Sequence, residues 1–122
     1  MPNGSLSLAK DPIKWIADVI AAGIALCEQG YSLRTAKEAE AWHQQENDWT
    51  AAALDGLADW NPIDVARINT LDRIDIYPLP AGHPWRGIQT NPLNCLATRI
   101  VRLQQIEQEW RKSLAAHYRD LA

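Results

Sequence analysis

Apolar positions in this chain fall into three long runs with helical spacing, separated by an opening device that repeats. The last run is the clearest. Leu93, Leu96, Ile100, Leu103, Ile106, Trp110 and Leu114 recur at steps of three and four, the period of one helix face, while Arg99, Arg102, Glu109 and Lys112 lie off that stripe. Asn91 and Pro92 open it. The Asn offers an acceptor to the orphan N–H groups, and Pro takes the first helical position, where a missing donor costs nothing. No Gly or Pro interrupts the run before Ala122. At full length the helix spans roughly 45 Å, more than a compact domain of this mass needs. It is either the spine of a bundle or an element projecting toward another chain.

The same device stands at Asp11-Pro12-Ile13 and at Asn61-Pro62-Ile63. The first predicts a helix from Pro12 to about Gln29, with Trp15, Ile16, Val19, Ile20, Ile24 and Leu26–Cys27 forming a wide apolar face. A face that wide reads as a central, well-buried helix, and Gly30 as the residue that ends it. Asn61-Pro62 opens a shorter helix carrying Ile63, Ala66, Ile68 and Leu71. Between them, Ser32 or Thr35 starts a second helix, and Thr35 with Glu38 matches a capping box. His43 to Asp48 is wholly polar, either a solvated face or a break. The Ala- and Leu-rich run from Trp49 to Trp60 favours one long helix over two short ones. Gly56 within it implies that packing demands a small residue.

From Asp72 to Thr90 the texture changes. Pro78, Pro80 and Pro84 with Gly82 and Gly87 exclude a helix and a central strand, leaving room for a short extended piece around Arg73–Tyr77. The stretch is too apolar for a flexible linker and should pack on something. Two readings stand. Tyr77, Leu79, Trp85 and Arg86 are residue types that dominate interfaces, and they contact a partner chain. Alternatively the arm folds back and closes the chain's own core, with Trp85 as the plug. The expected architecture is all-α: a four- or five-helix bundle over residues 11–122, with a tail at 1–10 and a Pro-rich extended arm at about 72–90, before a long C-terminal helix.

Composition refines this. The 122 residues make one domain, and 47% apolar content supplies a core without metal or disulfide. Six Trp and no Phe point to contacts that are half-buried. A net charge of −3 argues against broad nucleic-acid or anionic-membrane binding. The most apolar run, Ile13 to Cys27, carries Lys14 and Asp18 and is shorter than the roughly 20 residues a bilayer span needs. The opening Met-Pro-Asn-Gly-Ser lacks the basic n-region of a signal peptide, so none is expected. Cys27 and Cys95 lie in apolar stretches, as reduced thiols of a cytoplasmic protein do, and are too few for a zinc site.

Reaction chemistry has little footing. His43, His83 and His117 lack metal-ligand spacing, the His43–Glu46 pair belongs to the polar stretch, and no nucleophile elbow or phosphate loop is present. The expectation is a non-enzymatic subunit or adaptor of a larger assembly, without metal or cofactor. It would bind protein partners, or itself, through the arm and through Trp110 and Tyr118 of the last helix. The alternative is a small helix-turn-helix-like DNA-binding protein presenting Arg34, Thr35 and Lys37.

Overall fold

Each opening device acts as a cap. The computed structural model describes residues 11–71, 73, 74, 76 and 78–121, with side chains of the last helix as far as 114. Asp11 Oδ1 accepts from the Ile13 and Lys14 amides at 2.9 and 3.3 Å and starts α1, Pro12–Tyr31. Thr35 Oγ1 accepts from Glu38 N, and Glu38 Oε1 accepts from Thr35 N, both at 3.1 Å; this capping box starts α2, Ala36–Trp60. Asn61 Oδ1 accepts from Ile63 N and opens a 3₁₀ turn, Pro62–Asp64, that runs into the short α3, Val65–Asn69. Asn91 Oδ1 accepts from Asn94 N at 2.8 Å ahead of α4, Pro92–Leu121. The class is all-α, with no strand among the described residues.

Two expectations are corrected here. Gly30 does not end α1. It lies inside the helix, buried, and a methyl built on it would stand 2.8 Å from Leu93 Cδ1 and 2.9 Å from Trp42 Cζ2. Its smallness serves close approach rather than a left-handed turn. α2 runs unbroken through the polar stretch His43–Asp48, as the favoured reading has it, but the stretch is not the solvated face expected. Glu46 is buried, accepting from Thr50 Oγ1 at 2.7 Å and lying 3.5 Å from both Arg99 Nη1 and His43 Nε2.

α1 and α2 pack antiparallel through glycines facing tryptophans. Gly30 lies against Trp42 and Gly23 against Trp49, each pair seven residues from the next along its helix. The indole N–H of Trp42 donates to Leu26 O at 2.8 Å, and that of Trp49 to Val19 O at 3.0 Å. In an α-helix those carbonyls already accept from the amides four residues on, here Gly30 and Gly23. With no side chain at that position, the carbonyl stays open to a second donor. One heptad further along α2 the roles reverse: Gly56 receives Trp15 of α1, and a Cβ there would overlap the Trp15 ring.

α4 packs chiefly on α1, antiparallel to it, with Leu93 beside Gly30 and Ile100 beside Gly23. Leu93, Leu96, Ile100, Leu103 and Ile106 are buried as the stripe predicts, but the core ends there: Trp110 is half-buried and Leu114 exposed. α2 and α4 therefore run parallel, bridged by Glu46 and Arg99. A parallel pair needs a connection that travels back along the helices. Its lower part is α3, where Arg67 makes a paired contact with Glu109 at 2.7 and 2.8 Å and Asp64 accepts from Arg67 and from Trp110 Nε1. Arg102 fixes the exit from α3 by donating to the carbonyls of Arg67, Thr70 and Arg73. Among the described residues no helix is long and apolar enough to cross a membrane.

Gly56→Ala tests the packing directly. Propensity alone would favour Ala by about 1 kcal/mol, whereas overpacking against a rigid indole costs about 1–3 kcal/mol. The expected urea unfolding profile shows net destabilisation, and Gly56→Ala with Trp15→Leu should recover part of it. The acidic pairings predict a pH dependence. Hydrogen bonds from Arg67 hold the Glu109 carboxyl below its ordinary 4.5, and backbone amides of Arg34 and Thr35 do the same for Glu38. Groups lowered on folding supply stability that is complete above their unfolded value and lost as pH falls through the folded one. Denaturation midpoints should therefore decline on acidification below about 4.5, with a shallower decline in Glu109→Gln.

Candidate interaction surface

The upper part of the connection is the Pro-rich stretch, and its backbone is built from consecutive turns. His83 N donates to Pro80 O, Arg86 N to His83 O, and Ile88 N to Trp85 O, at 3.0–3.2 Å. Gly82 and Gly87 have φ of +87° and +85° and occupy the third positions of the first and last turns, where a positive φ calls for glycine. Pro84 takes the second position of the middle turn, for which its fixed φ is suited.

His83 ties these turns to the helices. It is buried, with Nε2 2.7 Å from Gly30 O, while Nδ1 lies 3.0 Å from Trp85 N. A backbone amide can only donate, so Nδ1 is the acceptor and the proton sits on Nε2, donated to the last turn of α1. Trp85 meets Trp42 edge-on, centroids 5.5 Å apart, and His43 approaches its ring from α2 at 6.4 Å. Arg34 Nη1 donates to Ala81 O at 3.0 Å. At the α4 end, Asn91 Nδ2 donates to Ile88 O and Asn94 Nδ2 to Gln89 O. Leu79 is buried in the main core.

The predicted partner residues therefore separate. Leu79 and Trp85 turn inward, and Arg86 stays exposed. The three still line one groove of about 330 Å3 together with Pro78, Ile76 and Ile88. Ile76 and Ile88 are 58% and 52% exposed. Trp110 lies elsewhere, in a cleft of about 450 Å3 with Pro12, Ile13, Trp60 and Leu114 at the opposite end of α4. Tyr77 and the Tyr118 side chain lie outside the described residues. Of the three residues of the DNA-binding alternative, two make bonds within the chain, Arg34 to Ala81 O and Thr35 as the cap of α2, while Lys37 is exposed.

Sequence reasoning did not find His83 as the latch, because nothing in a lone His before Pro announces a buried partner. Ile76 and Ile88 were visible as apolar, but only their exposure in the fold shows that they face out. Chemistry at the thiols is suppressed. Burial, with Glu28 nearby, pushes Cys27 up to about 11, and burial also raises Cys95. Among the described residues no three His, Cys, Asp or Glu side chains gather as metal ligands.

His83→Ala leaves the Trp85 amide without its acceptor and should cost about 1–3 kcal/mol in thermal or urea unfolding. The more specific expectation is faster amide exchange at Trp85 and Arg86 by NMR, by more than the global loss of stability produces at Ile16 and Ile20 of α1. Compared with family models, with curated proteins and with solved structures, the chain matches none.

Proposed function

We propose that this chain is a non-enzymatic subunit or adaptor, a helical bundle whose Pro-rich arm receives a protein partner in the groove between Ile76 and Ile88. One observation carries the reading: two large aliphatic side chains more than half exposed at one groove, whose turns from Pro80 to Ile88 are hydrogen-bonded and pinned to the helices. Exposing them gains the isolated chain nothing, whereas a loop already ordered pays little further entropy on docking. The partner that fits offers an apolar side chain to the groove and a carboxylate to Arg86, the exposed cation on its rim. Trp85 supports the surface from beneath rather than reaching outward, so the two readings of the arm are compatible: its inner side closes the core and its outer side binds. The cleft at Trp110 is a secondary candidate for the same assembly.

Because Ile76 and Ile88 are exposed, Ile76→Arg and Ile88→Glu should leave the melting temperature within about 2 °C, as surface changes do, yet abolish partner recovery. The measurement is affinity capture from the native host followed by light scattering of the complex. Recovery should depend little on salt, in contrast to a nucleic-acid complex. Unchanged recovery with both variants would remove the arm from the interface.

A further inference from the structure

The widest apolar face predicted from the sequence is that of α1, and the fold does not use all of it. α2 covers one side of α1 through the glycine–tryptophan contacts and α4 covers the next, while α3 packs against α2 and α4. On the remaining side α1 and α4 lie side by side, and the groove between them, about 330 Å3, is lined by Ile24, Cys27, Tyr31, Leu93, Ala97 and Val101. Ile24 and Tyr31 are each 40% exposed and Val101 36%. The exposed apolar residues of α1 here follow helical spacing, and α4 continues the surface beyond Val101 with Gln104 and Gln108 rather than charges.

We propose that this face is where two copies of the chain associate about a two-fold axis, with their α1 helices antiparallel. The charges on α1 select that occupant. Glu28 borders the groove. Lys14 precedes it by two heptads and so lies on the same side of the helix, displaced by roughly 40°. The two are about 21 Å apart along the axis, and midway between them stands Ala21, exposed and small enough for helices to approach closely. An antiparallel copy whose two-fold passes at Ala21 sets each Lys14 against the other chain's Glu28, giving two ion pairs from one sequence feature. Such self-complementarity is what an isologous interface requires. The internal partner of Lys14, Asp18 at 2.7 Å, is itself exposed and remains alongside as a second acceptor. This surface is distinct from the arm groove, and its failure would leave the proposed partner site untouched.

The experiment is sedimentation equilibrium with light scattering on the full chain. Wild type should show twice the 13.7 kDa chain mass. Ile24→Glu and Val101→Glu should each raise the dissociation constant at least about tenfold with helix content by circular dichroism unchanged. Glu28→Lys should weaken the dimer, and adding Lys14→Glu should restore it. Ala21→Cys should form a covalent dimer on mild oxidation, while Ala52→Cys, exposed on α2, should not. A wild-type monomer persisting at about 100 µM, weaker than a typical specific association, would overturn the proposal. So would a dimer indifferent to Ile24→Glu and Val101→Glu, or one broken by Ile88→Glu instead.

Discussion

Close contact between α1 and α2 depends on an indole filling the space of an absent side chain. Trp42 and Trp49 of α2 each do two things at once, at Gly30 and Gly23: each occupies the volume a Cβ would take and gives its N–H to a carbonyl exposed by that vacancy. A buried indole without an acceptor would cost part of what its burial contributes, and here the acceptor comes from the neighbouring helix itself. The reversal at Gly56 and Trp15 adds register. Sliding α2 by one heptad would bring Gly56 opposite Gly23, leaving a void, and would leave Trp15 with no glycine to enter. The pair can therefore be assembled well in one alignment only.

The second organising constraint is the parallel run of α2 and α4. It obliges residues 61–91 to return along the molecule, and the structure anchors that return twice. Arg67, Arg99 and Arg102 hold its lower part by donating to carboxylates and backbone carbonyls. His83 and Arg34 hold the upper part by their bonds to Gly30 O and Ala81 O. The buried Glu46 lies between, kept tolerable by Thr50, Arg99 and His43. Removing one partner from such a cluster costs more than the cluster contributes, because it leaves charge stranded.

Capping chemistry was the most legible part of the chain. Asp11, Thr35, Asn61 and Asn91 each act where local sequence indicates, since a cap is decided by two or three neighbouring residues. The α4 stripe was equally plain as far as Ile106. What local pattern missed is pairwise and distant. Gly30 resembles a terminator until Trp42 and Leu93 are known to press on it. Glu46 belongs to a polar run until Arg99, over fifty residues away, is placed beside it. Ile24 matches the core period but finds no helix above it. For the candidate surfaces, residue types in the arm were readable. Their division into an inward Leu79 and Trp85 and an outward Ile76, Ile88 and Arg86 depended on packing against distant helices, which local sequence does not carry.

The return connection also bears on how the chain reaches this arrangement. α1 and α2 meet across the short turn Ser32–Thr35, so their hairpin closes at small entropic cost and can form early. α4 packs on α1 from some seventy residues downstream, a closure whose cost grows only with the logarithm of the intervening length. The histidine latch divides that length. Once the turns around His83 settle on the end of α1, only about ten residues separate that anchor from Leu93, whose destination is beside Gly30. The latch thereby shortens the loop that docking of the longest helix must close.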